Sequence, residues 1–304
     1  MAPQILRNLA RAGRKNPLAW QYLFNCLPTL SYKINSSVLS KEARRVKDDL
    51  NAHGVAMTSV DALLASNRCY PELLEAIQIL ENDIEEELDT ARSSSEDTGA
   101  IGRKVFNVEL LGRRPTFDGS SVYARFALQQ EILDLANSYF GMYTNLRYYN
   151  VWHTFATDCA PRESQLWHRD REDFHVLKMF LYVSDVDETS GAFNYVSGTH
   201  PKGKRRQLAP YFLEGGVARS NDEQMAEAVS PEHWKKCTGP RGTIIFADTR
   251  GYHKGGLARS RDRIMYTCMF TSPASQSEKL LHFPHDMQLP VDKEKRRALR
   301  ERFR

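Results

Sequence analysis

Several things are scarce in this chain of 304 residues, and each scarcity excludes a class of protein. Cysteine occurs five times, at Cys26, Cys69, Cys159, Cys237 and Cys268, scattered and without a C-x-x-C pair. That excludes a disulfide framework and implies a reducing compartment. No apolar run approaches the ~20 residues that span a bilayer. Acid is missing from the start: no Asp or Glu precedes Glu42, while Arg7, Arg11, Arg14, Lys15 and Lys33 do. The opening residues lack a secretory h-region, so a cytoplasmic protein is expected, with mitochondrial targeting by the basic start as the alternative. The net charge of +4 gathers at this start and in the Arg-rich last dozen residues. No nucleic-acid motif accompanies it, and no nucleic-acid partner is expected. Repeats and low-complexity tracts are absent.

What is present suits a globular core: 41% hydrophobic and 10% aromatic residues. Residues 4 to 33 read as helices broken at Pro17 and Pro28. Leu18, Tyr22, Leu23 and Leu27 share a face that should pack on something. A helix over 40 to 53 is capped by Ser40 and stopped by Gly54. A short strand VAMTSV follows, then a helical turn, and then one helix over 71 to 91 with Pro in its first turn. Residues 92 to 99, RSSSEDTG, read as a loop, and 121 to 139 as helical. After Gly141 come short β-branched and aromatic runs separated by Gly, Pro, Asp and Ser, the pattern of an antiparallel sandwich or barrel.

Among nine histidines only His168 stands in a His-x-Asp, within QLWHRDREDF. On extended backbone His168 and Asp170 point to one face, and Trp167 and Arg169 to the other. Eighty-five residues on, GTIIFADTRGYHKGG places His253 just past a strand, and ten further on Arg263 opens another strand. Two imidazoles and one carboxylate form the facial triad that suits non-haem Fe(II), because it leaves the opposite face of the metal open. A keto acid such as 2-oxoglutarate fills two of the open positions and leaves one for dioxygen. Its far carboxylate needs a buried cation, and the planar fork of an arginine suits it.

From Gln165 to about Thr271 the chain resembles the phytanoyl-CoA dioxygenase family of Fe(II)/2-oxoglutarate oxygenases. The matching pieces are QLWHRD, FLYVSDVDETSGAFNYVSGTHPKG, GPRGTIIFADTRGYHKGG and then Arg263. The resemblance implies a mainly β fold, a double-stranded β-helix (jelly roll) core with N-terminal helices packed on it. It implies His168, Asp170 and His253 as iron ligands and Arg263 as the partner of the 2-oxoglutarate C5 carboxylate, with Arg259 and Arg261 as competitors for that role. Asn150 and Lys178 align with further co-substrate contacts, and strand alternation puts Lys178 on one face with Phe180 and Tyr182. Halogenating relatives replace the Asp with Gly or Ala, so Asp170 implies hydroxylation or a related oxidation, here of a small organic substrate such as an acyl or natural-product intermediate. Succinate and CO2 would be the co-products. A binding protein that kept the jelly roll without the chemistry, or a zinc-binding cupin-like protein, are the alternatives.

The expected domains are an N-terminal helical arm over 1–35, the oxygenase domain over 36–275 and a basic C-terminal extension over 276–304. Other candidates read more plainly. His175 is a loop histidine, with substrate contact as the alternative. His282, His285 and Asp286 form a loop. Lys202, Lys204, Arg205 and Arg206 are a solvated turn, unless they meet a phosphate-bearing substrate. Trp167, Tyr149 and Tyr195 are packing residues, and Arg263 paired with Asp248 is the structural alternative to co-substrate binding.

Overall fold

Strand alternation and helix caps account for most of the architecture. The computed structural model describes residues 16–64, 68–95, 106–210, 212, 218–284 and 292–299. The expected helix before residue 16, the stretch 96–105, and His285 and Asp286 lie outside them.

A six-stranded sheet runs in the order β1 (Val55–Ser59), β7 (Thr243–Asp248), β4 (Leu177–Tyr182), β9 (Arg263–Thr271), β3 (Asn145–Thr154) and β2 (Asn107–Glu109). A three-stranded sheet runs β6 (Trp234–Cys237), β5 (Phe193–Val196), β8 (His253–Gly255). Every named pairing is antiparallel.

The large sheet is buried on both faces, and the two-residue period divides its side chains between two cores. On β4, Leu177, Met179 and Leu181 join the helix-side core. Phe180 and Tyr182 join the core facing the small sheet, with Phe193 and Tyr195 of β5. On β7, Ile244 and Phe246 go one way and Ile245 and Ala247 the other. A bulge in β3 between Leu146 and Tyr148 shifts the register by one residue. Leu146, Tyr149 and Val151 therefore face the helices, while Tyr148, Asn150, Trp152 and Thr154 line a cavity between the sheets.

The helix-side core is covered by α2 (Lys41–His53) and α6 (Gln130–Phe140), which pack on each other, and by α3 (Cys69–Asp83) and α5 (Val122–Ala127), which do likewise. Ser40 accepts from the Ala43 N–H, and Gly54 ends α2 in the left-handed region at φ 81°. A Cβ on Gly54 would stand 2.4 Å from the Tyr195 hydroxyl, so glycine is required twice over. Val46 and Leu50 of α2 are fully buried, each worth about 1.5–3 kcal/mol of transfer free energy.

Four expectations need correction. Pro28 does not break a helix; it sits in the first turn of α1 (Cys26–Ile34), where no N–H is needed. The helix expected over 71 to 91 is two, α3 and α4 (Glu85–Ser95), divided at Ile84. Residues 92–95 are the last turn of α4 rather than loop, and Arg92 pairs with Asp262 at 2.5 Å. The face made by Leu18, Tyr22, Leu23 and Leu27 is 46–71% exposed, so the rest of the described chain leaves it largely uncovered. The segment holds instead through Trp20, whose indole N–H donates to Asp173 at 2.8 Å. Two further helices are α7 (Asp222–Ala228) and α8 (Lys293–Leu299). No described helix is long and apolar enough to cross a membrane.

Candidate metal centre

His168 lies not in a named strand but in a short ladder between two other segments. Trp167 and Ser220 exchange backbone hydrogen bonds of 2.9 and 3.0 Å. One residue on, His168 and His253 exchange a pair of 3.0 Å. The Asp170 N–H then donates to the Thr249 carbonyl at 2.9 Å. The chain is thus pinned at Trp167, His168 and Asp170, and alternation does the rest. Trp167 turns away into a cluster with Val196, Met225 and Tyr252, and its indole N–H donates to Asp222 of α7 at 2.7 Å. Arg169 also turns away and stacks 4.0 Å over the Tyr252 ring. His168 and Asp170 turn inward beside His253.

One nitrogen or oxygen of each of these three residues lies within 4.8 Å of the others. The imidazole centroids are 4.2 Å apart. Each ring places Nδ1 against a backbone carbonyl, His168 at 2.8 Å from Leu166 and His253 at 3.1 Å from Gly251. Donation there makes Nδ1 the protonated nitrogen and leaves Nε2 as a lone pair. Burial pushes the His168 pKa well below its usual range, and the neighbouring His253 adds to this. Burial, with Lys178 nearby, brings His253 down to about 4. Both rings are therefore neutral at neutral pH, the form that ligates metals. Burial alone would raise the Asp170 pKa; the Lys178 ammonium outweighs it and holds the carboxyl below its ordinary range. The Lys178 ammonium sits 2.7 Å from Asp170 Oδ2.

These side chains line a cavity of about 800 Å³. Arg263 lines it too, 4% exposed. Its guanidinium donates to the Gly191 carbonyl and, at 3.2 Å, to the Thr154 hydroxyl, and its buried Nε has no partner. No carboxylate pairs with it among the described residues. Burial lowers its pKa, yet arginine stays charged at any ordinary pH. Arg259 and Arg261 are half-exposed and face elsewhere: Arg259 donates to the Thr157 carbonyl at 2.8 Å, and Arg261 pairs with Asp187. Asp248, the carboxylate that could have neutralised Arg263, is fully buried with His175 at 2.5 Å and the Tyr139 hydroxyl at 2.8 Å.

The two remaining expected residues also line the cavity, each already engaged. Asn150 accepts from the Leu111 and Val151 N–H groups at 3.2 and 2.8 Å and donates to the Gly112 carbonyl at 2.8 Å. It pins the turn after β2 to the cavity wall. Lys178 shares its face with Phe180 and Tyr182 as alternation requires, and is bound to Asp170.

Other candidates fall outside the cavity. His175 packs among Trp20, Tyr139, Phe140 and Phe174. Lys202 donates to the Tyr139 carbonyl at 2.8 Å, and Arg205 contacts His233 at 2.8 Å, so that turn is stitched to the fold. The backbone of His282 pairs with the 115–117 segment. Trp167, Tyr149 and Tyr195 are buried packing residues. The sequence reading overlooked Tyr148 and Trp152, which alternation along β3 could have found, and Arg219, which no pattern marks.

No family model and no curated protein matches the chain. Among solved structures it is similar to EctD from S. alaskensis with bound Fe, at a TM-score of 0.53 and 15% identity over 81% of this chain and 84% of that one. The apo form of EctD aligns at a TM-score of 0.51 and 16% identity, over 80% and 83%. The chain has the fold of these proteins, antiparallel sheets flanked by helices.

Proposed function

We propose that the chain is an Fe(II)- and 2-oxoglutarate-dependent oxygenase of the phytanoyl-CoA dioxygenase type. It would be built on a jelly-roll core over about 36–275, with a helical arm before it and a basic extension after it. One observation carries the reading. Three neutral or anionic donors converge on one wall of a cavity whose lining also holds a buried arginine with no carboxylate partner among the described residues. The fold similarity to EctD, a protein solved with iron, agrees with it.

The donor set fits Fe(II): two imidazoles with free Nε2 and one ionised carboxylate, leaving part of the coordination sphere open. Arg263 fits the C5 carboxylate of 2-oxoglutarate through its fork. Bound together, iron and 2-oxoglutarate would supply oxidation of a substrate C–H by dioxygen, with succinate and CO2 released. The rest falls to the chain. Leu166 and Gly251 fix the imidazole tautomers through their carbonyls. Lys178 keeps Asp170 ionised and aimed inward. Trp152, Phe180 and Phe193 give the cavity apolar walls that hold a substrate in place and exclude water. Asp170 itself favours hydroxylation over halogenation, since the carboxylate takes the position a halide would need.

Anaerobic addition of Fe(II) and then 2-oxoglutarate should give a weak visible absorption band, and aerobic incubation should release succinate. Protein that binds zinc but gives neither signal would overturn the assignment.

A further inference from the structure

The cavity is lined by six cationic side chains and three carboxylates. Iron and 2-oxoglutarate carry opposite double charges, so they would leave that excess in place. Half of the cations are already engaged. Lys178 is bound to Asp170, Arg169 donates to the Thr199 and Arg206 carbonyls, and Arg263 is braced by Gly191 and Thr154. Arg113 and Arg171 are exposed.

Arg219 is different. The ladder that carries the histidines fixes its place. Ser220 stands opposite Trp167, so the antiparallel register sets Arg219 opposite His168, on the edge away from His253. Side chains opposite one another in such a pair share a face. Arg219 thus follows His168 inward, while Trp167 and Ser220 are buried on the other side. Its guanidinium donates a long 3.4 Å bond to the carbonyl of its own neighbour, Ala218, and its buried Nε has no partner. No carboxylate pairs with it among the described residues.

We infer that Arg219 anchors an anionic group of the primary substrate, a carboxylate or a phosphate, beside the metal centre. A half-buried fork with no carboxylate partner recognises a planar or tetrahedral oxyanion bidentately. The ladder places that anchor next to His168, so the rest of the substrate would lie across the open face of the site. The substrate would then be an organic acid or phosphate ester rather than a neutral molecule. This rests on the oxygenase reading for its meaning, although the binding itself does not require iron.

The test uses the full chain, free of metal, titrated calorimetrically with benzoate, phenyl phosphate and benzamide. Wild type should bind at least one of the two anions roughly tenfold or more tightly than the amide, the scale of one charge-assisted pair. The tighter of the two tells carboxylate from phosphate. Arg219→Leu should bind all three within about twofold of its benzamide affinity, and Arg219→Lys should recover part of the preference. Arg219→Gln, closer in size, is read in the same way should the leucine variant fail to fold. No preference in wild type, or a preference that survives Arg219→Leu undiminished, would each overturn the assignment. Absence of the Fe(II)/2-oxoglutarate band in wild type would overturn the oxygenase reading and leave the anion site standing.

Discussion

His168 and His253, eighty-five residues apart, donate backbone hydrogen bonds to each other at 3.0 Å in both directions. The two imidazoles are therefore positioned by main chain as well as by side-chain packing. A hydrogen-bonded antiparallel pair sets their Cα atoms about 5.5 Å apart and sends both side chains to one face. This geometry survives replacement of either side chain, so variants there test the chemistry rather than the fold. His168→Ala should keep the wild-type melting temperature within a few degrees. Its Co(II) affinity should fall by about 100-fold or more, since one ligand of three is lost. Titration of the Co(II) visible bands measures it; wild-type affinity in the variant would remove His168 from the centre.

Lys178 and Asp170 form a buried ion pair at 2.7 Å, each side chain 12% exposed. Removing one partner of such a pair costs about 3–5 kcal/mol, because the other charge stays buried alone. Lys178→Met should lower the stability of the metal-free protein on that order. Divalent metal places positive charge beside Asp170, so saturating Mn(II) should restore a larger part of the loss in the variant than it adds to wild type. Thermal melts with and without Mn(II) read this out. Equal stabilisation of both proteins would show that the lysine and the metal do not share the carboxylate.

Arg263 offers a guanidinium with no carboxylate partner among the described residues. Its Arg263→Leu variant should raise the 2-oxoglutarate dissociation constant by roughly 10–100-fold, the range for losing a charge-assisted fork. The measurement is an anaerobic titration of the Fe(II)-loaded protein. An unchanged constant would move the role elsewhere, although Arg259 and Arg261 face other partners.

The convergence of His168 and Asp170 was legible because each obeys a local rule. Alternation put His168 and Asp170 on one face, and Lys178 with Phe180 and Tyr182. Ser40 and Gly54 marked the ends of α2 by their capping chemistry. What sequence could not carry was competition between partners. Nothing in the spacing says that Asp248 would be taken by His175 and Tyr139, leaving Arg263 without it. Nor could it show that the Asn150 amide would be consumed by the turn at 111–112. Arg219 was invisible for a further reason: its position depends on an isolated bridge between Trp167 and Ser220, too short to leave a period. The apolar stripe from Leu18 to Leu27 reads as a buried face, yet it is exposed, because periodicity reports a face and not its cover.

A final prediction concerns stability rather than chemistry. His153, on β3, is 8% exposed and touches two carboxylates at 2.8 Å, Glu81 of α3 through Nδ1 and Asp262 through Nε2. Burial disfavours its charge, but the two hydrogen-bonded carboxylates outweigh burial and raise its pKa from 6.5 to about 9. A raised pKa means that the folded state holds the proton more tightly than the unfolded one. The stabilisation is therefore complete below about pH 6.5 and is lost as pH rises through about 9. It should amount to roughly 2 kcal/mol once partial exposure of the carboxylates is allowed for. Urea denaturation of wild type should show that much lost between pH 6 and pH 9.5. In His153→Gln, which keeps one donor and cannot titrate, this component of the slope should vanish. A wild-type slope in the glutamine variant would place the pH dependence on another group and leave His153 as a neutral bridge between α3 and the sheet.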